Sequence, residues 1–280
     1  MRVEHLSIQG CNEWNEDAYM VNHDRRIYGV LDGATSEASA PGVETGGYIA
    51  SHSVQRYFDE LGGDADGLPL REHVLRANER IRAMMRERGM DVEEKRTLWA
   101  TALAVIRIGE YQVEYAQTGD CMIVAVYNDG TVRTVTHDQV DHLGEKTREQ
   151  WEQSLAEGLT PQRARERAFR VIGQNRLLAN TPEGYGILNG DPMLERYVEH
   201  GMLNRIQLKT LFLFTDGLFL PRKAGRQASP MSEMVALIEE KGLQGYAEWL
   251  VGNERDESRQ NINTRLKAAD DKTAIRIDFD

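Results

Sequence analysis

The sequence predicts an α+β fold in which β-sheet is packed between layers of helix. Short apolar runs of strand length recur along the chain, and Asn128-Asp129-Gly130 between two of them is a strong hairpin turn signal. Helix-length amphipathic stretches come in blocks and do not alternate with the strands one by one, which favours antiparallel pairing over parallel crossovers. No linker rich in Ser, Gly and Pro, no low-complexity tract and no internal repeat interrupts the pattern, so the 280 residues read as one domain, 1–280.

Strand patterns fall at about 3–9, 18–22, 27–31, 98–108, 111–117, 122–127, 131–136, 209–214 and 274–279, each a run of β-branched, aromatic or leucine residues ended by turn formers. Gly109-Glu110 offers a second hairpin turn. The clearest helix is 71–88, where Val74, Ala77, Ile81 and Met84/Met85 share one face and arginines and glutamates take the other. Helices are also expected over 42–60 and 146–157, and from Thr160-Pro161, a cap residue followed by a first-turn proline. Two more are expected at 231–241 and 244–254.

Charge and composition narrow the function classes. The formal net charge is −11, a field that repels nucleic acid and anionic membranes and suits cations. No apolar run approaches membrane-spanning length, and the first residues lack a secretory core segment, so neither a membrane nor a secretory route is expected. Two cysteines, Cys11 and Cys121, cannot build a disulfide framework; both are expected to be small buried residues, and a cytoplasmic location follows. The seven histidines lack zinc-site spacing, no Gly-Lys-Ser/Thr phosphate loop occurs, and neither cysteine has the arginine six positions on that a cysteine phosphatase needs. Arg163, Arg165, Arg167 and Arg170 read as a solvated helix face.

Four Asp-Gly pairs are present, and Asp-Gly is ordinary turn chemistry. Context separates them: Asp66-Gly67 lies in a polar Gly-rich loop and Asp129-Gly130 is the hairpin turn, whereas "IYGVLDG" and "TLFLFTDG" run apolar up to Asp32 and Asp216. A carboxylate at the end of a buried strand is costly unless a cation or a full set of donors compensates it. Glu16-Asp17, Asp120 and Asp270-Asp271 sit in comparable places beside strands. Hard oxygen donors from several strand ends, without a His or Cys cluster, suit Mg²⁺ or Mn²⁺.

"NEDA" at 15–18, "GVLDGA" at 29–34, Gly46-Gly47, "QTGDC" at 117–121, "VTHDQ" at 135–139, "LFTDGL" at 213–218 and "DDKT" at 270–273 occur in the order found in the protein phosphatase 2C family, which the chain resembles from Glu16 to Phe279. The resemblance is to metal-dependent Ser/Thr protein phosphatases, most of all their bacterial branch. It implies a four-layer α-β-β-α sandwich of two antiparallel sheets flanked by helices. It also implies hydrolysis of phosphoserine and phosphothreonine in proteins by a metal-activated water at a centre of two Mg²⁺ or Mn²⁺ ions. Asp32 would bridge the ions, with the Gly33 carbonyl on one of them; Asp216 and Asp270 would complete the shell of the second metal; Glu16 and Asp17 would act through waters, and Asp120 would serve a weaker third site. Asp32 and Asp216 are the residues on which catalysis would depend. A phosphorylated protein is the implied partner, and 141–208 would contain a variable flap beside the site.

The chain also departs from the family pattern. Asn12 stands where members often carry a phosphate-binding arginine, Ala34 where many have a histidine, and residues 35–45 separate Asp32-Gly33 from Gly46-Gly47. The alternative expectation is therefore a low-activity regulatory module of the same fold that binds a partner or phosphorylated ligand.

Overall fold

The structure, a computed structural model, describes residues 1–34, 42–62, 67–221, 230–259 and 269–279. Asp66 and most of the segment between Gly33 and Gly46 fall outside these residues. Ten strands form two antiparallel five-stranded sheets. The first sheet joins β1 (Arg2–Ile8), β10 (Lys272–Asp278), β9 (Leu208–Phe214), β6 (Met122–Tyr127) and β7 (Val132–Thr134), in that order. The second joins β2 (Ala18–Asn22), β3 (Ile27–Gly33), β4 (Thr101–Ile108), β5 (Gln112–Thr118) and β8 (Glu199–Asn204).

Alternation along the strands distributes side chains to three apolar layers. Val30, Ala104 and Ile106 of one sheet meet Ile123, Leu211, Leu213, Ile275 and Ile277 of the other between the sheets. Leu31, Leu103 and Val105 point the opposite way, against Val54 and Phe58 of α1 (Gly46–Asp59) and Val74, Ile81 and Met85 of α2 (Leu70–Glu87). On the far side Val124, Phe212, Phe214 and Ala274 bury Ile238, Tyr246 and Leu250 of α5 (Met231–Arg259). The fold is thus a four-layer α-β-β-α sandwich, with helices outside both sheets.

The segment 141–208 begins with a helical pair outside these layers, α3 (Asp141–Ala156) and α4 (Pro161–Asn175), packed around Trp151, Ala164 and Ala168. Thr160 caps α4 by accepting from the Arg163 amide, and Pro161 takes the first turn. Arg163, Arg165 and Arg170 are exposed and Arg167 pairs with Glu157 at 2.7 Å, so this face is solvated. Asn180 and Asn78 tie the rest of the segment down: Asn180 bonds Ile187 and Asn189, and Asn78 accepts from the Gly190 amide at 2.8 Å.

Three details differ from expectation and one agrees with it. Strand β4 starts at Thr101 because Leu98, Trp99 and Ala100, though buried, belong to the loop that feeds it. Edge strand β8 has no periodic apolar signal, since only Leu203 of its six residues is buried; its pairing with β5 makes it a strand. The two expected C-terminal helices are both present within α5 and meet at Gly242, whose φ of 74° breaks the helical path in a left-handed conformation that glycine tolerates. Cys11 is exposed, since it lies in the irregular segment between β1 and β2, whereas Cys121 is buried between the sheets.

Candidate active site

The predicted acidic residues come to one end of the sandwich because antiparallel pairing brings the starts of some strands beside the ends of their neighbours. Asp17 immediately precedes β2, Asp32 ends β3 with Gly33, Asp120 lies in the turn from β5 to β6, Asp216 follows β9, and Asp270 stands two residues before β10. Asp32, Asp120, Asp216 and Asp270 are half-buried, and Asp17 lies beneath them at 3% exposure. The arrangement is a partly open acidic cleft with a buried carboxylate in its floor.

The electrostatics follow from that crowding. Burial pushes the Asp32 carboxyl well above the usual carboxylate range, and the charges of Asp17, Asp216, Asp120 and Asp270 push it further. Asp120 is raised by burial first and then by Asp216, Asp138 and Asp270. For Asp17, burial raises the carboxyl and the Thr215 hydroxyl, donating to Oδ2 at 2.8 Å, opposes it. Asp271 and Asp216 raise Asp17 as well. Cys121, behind the turn, is held as a neutral thiol by burial and by the same carboxylates.

Adjacent residues in an extended chain face opposite ways, and Glu16 and Asp17 do so. The Glu16 carboxylate turns toward the start of α1, where Thr45 donates a short bond to Oε1, and Asn12 Nδ2 approaches Oε2 at 3.3 Å. Thr45 is also the N-cap of α1, accepting from the Tyr48 amide. Gly33 and Gly47 let these backbones meet: a Cβ on Gly33 would lie 2.5 Å from the Gly47 carbonyl oxygen and 2.6 Å from that of Glu16. The exit of β3 is pinned from two further directions, by Thr101 Oγ1 donating to the Asp32 carbonyl at 3.0 Å and by Arg176 Nη2 donating to the Ala34 carbonyl at 3.1 Å.

The remaining motifs hold turns. Gln117 donates to the Gly119 carbonyl at 2.8 Å and accepts from Gln139, so "QTGDC" and "VTHDQ" lock one another and fix Asp120. Thr215 accepts from the Thr273 amide at 2.9 Å, which joins the loop of Asp216 to the start of β10. Asp271 accepts from the amides of Gly10 and Glu16 at 2.6 and 2.7 Å, binding the β1–β2 connection to "DDKT". Asp138 and Arg176 were not singled out as site residues from sequence. Asp138 reaches Asp120 only through the tertiary fold, while its own carboxylate accepts from the Val140 and Asp141 amides at the start of α3. The HDQ triplet could have pointed to it; nothing local marks Arg176.

Could these residues hold a divalent cation? Among the described residues no three acidic, histidine or cysteine side chains converge closely enough to form a ready-made cage. The donors are nonetheless carboxylate oxygens, mutually repelling and partly open to water. That chemistry fits a cation of the Mg²⁺ class, which keeps several waters and takes few direct protein ligands.

Comparison with known proteins gives the same direction. Residues 8–253 match the family model described as protein phosphatase 2C. No curated protein matches the chain. Among solved structures, a bacterial serine phosphatase is 17% identical with a TM-score of 0.59, over 100% of this chain and 98% of that one. The serine/threonine phosphatase Stp1 from Staphylococcus aureus is 17% identical with a TM-score of 0.58, over 99% and 94% of the two chains. The catalytic domain of the serine threonine protein phosphatase PstP, in complex with two manganese ions, is 19% identical with a TM-score of 0.58, over 99% and 97%. These structures share the fold of the chain, and the family match covers most of its length: the chain belongs to the protein phosphatase 2C family.

Proposed function

We propose that the chain is a Mg²⁺- or Mn²⁺-dependent phosphatase acting on phosphoserine and phosphothreonine in proteins, with 1–280 as its single catalytic domain. The observation that carries this reading is the meeting of Asp17, Asp32, Asp120, Asp216 and Asp270 in one cleft from separate strand ends of both sheets. Asp32, at the centre of the mutual repulsion, would be the carboxylate shared by the ions; Asp216 and Asp270 would hold them beside it, and Asp120 with Asp138 would hold a further, weaker ion. Glu16 and Asp17 would act through waters, and the Gly33 carbonyl would add a backbone oxygen at the exit of β3. Bound cations supply charge neutralisation for the phosphate and an acidified water for attack at phosphorus. The chain itself sets the geometry. Thr101 and Arg176 fix the backbone after Asp32, Thr215 orients Asp17 by a hydrogen bond, and the Gln117–Gln139 pair fixes Asp120.

The test is hydrolysis of p-nitrophenyl phosphate and a phosphothreonine peptide by metal-stripped protein as Mn²⁺ or Mg²⁺ is added back, with Asp32→Ala in parallel. Metal-dependent turnover lost by at least about a hundredfold in the variant is expected, as for removal of a main electrostatic group. Turnover without metal, or near-normal turnover in the variant, would sink the reading. The second reading, a low-activity module that binds a phosphorylated partner, is favoured by Asn12, whose amide faces Glu16 where a guanidinium for phosphate would be wanted. Metal uptake without hydrolysis of either substrate would select it.

A further inference from the structure

Lys272 opens β10 on the face that carries Ala274, toward α5. Its side chain is 1% exposed; Nζ donates at 2.9 Å to Glu254 Oε2 of α5, whose side chain is 3% exposed, and at 2.9 Å to the Asp270 carbonyl. A buried ion pair is a poor stabiliser in itself, because desolvation of both charges offsets their attraction, and apolar side chains of similar volume often serve as well. An apolar pair could not hold a backbone carbonyl. The adjacent Asp271 is already fixed by the Gly10 and Glu16 amides, so Lys272 supplies the second tether on this two-residue acidic segment, from the helical layer outside the sheet.

We propose that Glu254 and Lys272 form a positioning pair: Glu254 keeps the Lys272 ammonium in place within the interior, and Lys272 fixes the Asp270 backbone so that its carboxylate is presented to the acidic cleft. The inference rests on the divalent-cation reading above and assigns α5 a part in setting cation affinity.

The experiment measures Mn²⁺ binding by calorimetry, and the thermal midpoint without metal, for the full chain and for the double variants Lys272→Met/Glu254→Leu and Lys272→Met/Glu254→Gln. Both remove the tether without leaving one buried charge alone, and the second keeps the shape of the Glu254 side chain if the first folds poorly. Expected is a midpoint near or above that of the wild type together with Mn²⁺ affinity weaker by about tenfold or more, the usual effect of losing a group that orients a ligand. Unchanged affinity in a folded double variant overturns the proposal. So does a loss of native structure in both variants, which would make the pair structural. A wild-type chain that takes up no Mn²⁺ is a different failure, that of the cation reading itself.

Discussion

Asp32 and Cys121 show how the same carboxylates act on neighbours of different chemistry. For Asp32 the crowding makes ionisation costly and a cation welcome; for Cys121 it adds to burial in keeping the thiol neutral. Cys11 is exposed on the β1–β2 connection. A chromogenic thiol reagent at pH 8 is therefore expected to titrate one thiol in the native protein and a second only after denaturation. Cys11→Ser should abolish the native signal. A fast second thiol in the folded chain would contradict the burial of Cys121. Asp32 and Asp216 were legible from sequence because an apolar run ending in a carboxylate is unusual. Arg176 was not, because the carbonyls of Ala34, Arg96 and Leu98, to which it donates, are distant in sequence.

The elements meet at the site through backbone contacts that tolerate little added volume. One of these is between the exit of β3 and the first turn of α1, where Gly33 faces the carbonyls of Gly47 and Glu16. Gly33→Ala would push backbone against backbone, with no flexible side chain to give way. The expected cost is about 1–3 kcal/mol of stability, as for other overpacked sites, with weaker Mn²⁺ binding alongside. Denaturant unfolding of the metal-free variant measures the first quantity and calorimetry the second; an unaltered unfolding midpoint would mean that α1 can withdraw freely. At this scale the helices were mostly legible, because amphipathic periodicity and the Thr160-Pro161 start are local features. Edge strand β8 was not, since its Glu, His, Gly and Asn residues carry no pattern until β5 lies beside them.

Across the whole molecule, the acidic end is held by a sandwich whose apolar layers stand clear of it. Leu213 is fully buried between the sheets, so Leu213→Ala should cost about 2–5 kcal/mol, the range for a leucine truncated in a close-packed core. Met202, 58% exposed on β8, should change stability by no more than about 0.5 kcal/mol when truncated to alanine. Chemical denaturation of the two variants checks the contrast; equal effects would mean that the two sheets do not share one close-packed layer.

The sequence by itself determined the fold class, most strand and helix positions, and the acidic residues that end strands, because periodicity and turn chemistry are local. It also carried the ordered motifs by which the family resemblance was seen. Only the tertiary structure decided which way each carboxylate faces: Glu16 toward Thr45 and α1, Asp17 toward the Thr215 hydroxyl, Asp271 onto the amides of Gly10 and Glu16. It alone joined Lys272 to Glu254 and Asp138 to Asp120. Those pairings depend on how two sheets and their outer helices stack, and stacking brings together groups far apart in the chain that no local pattern connects.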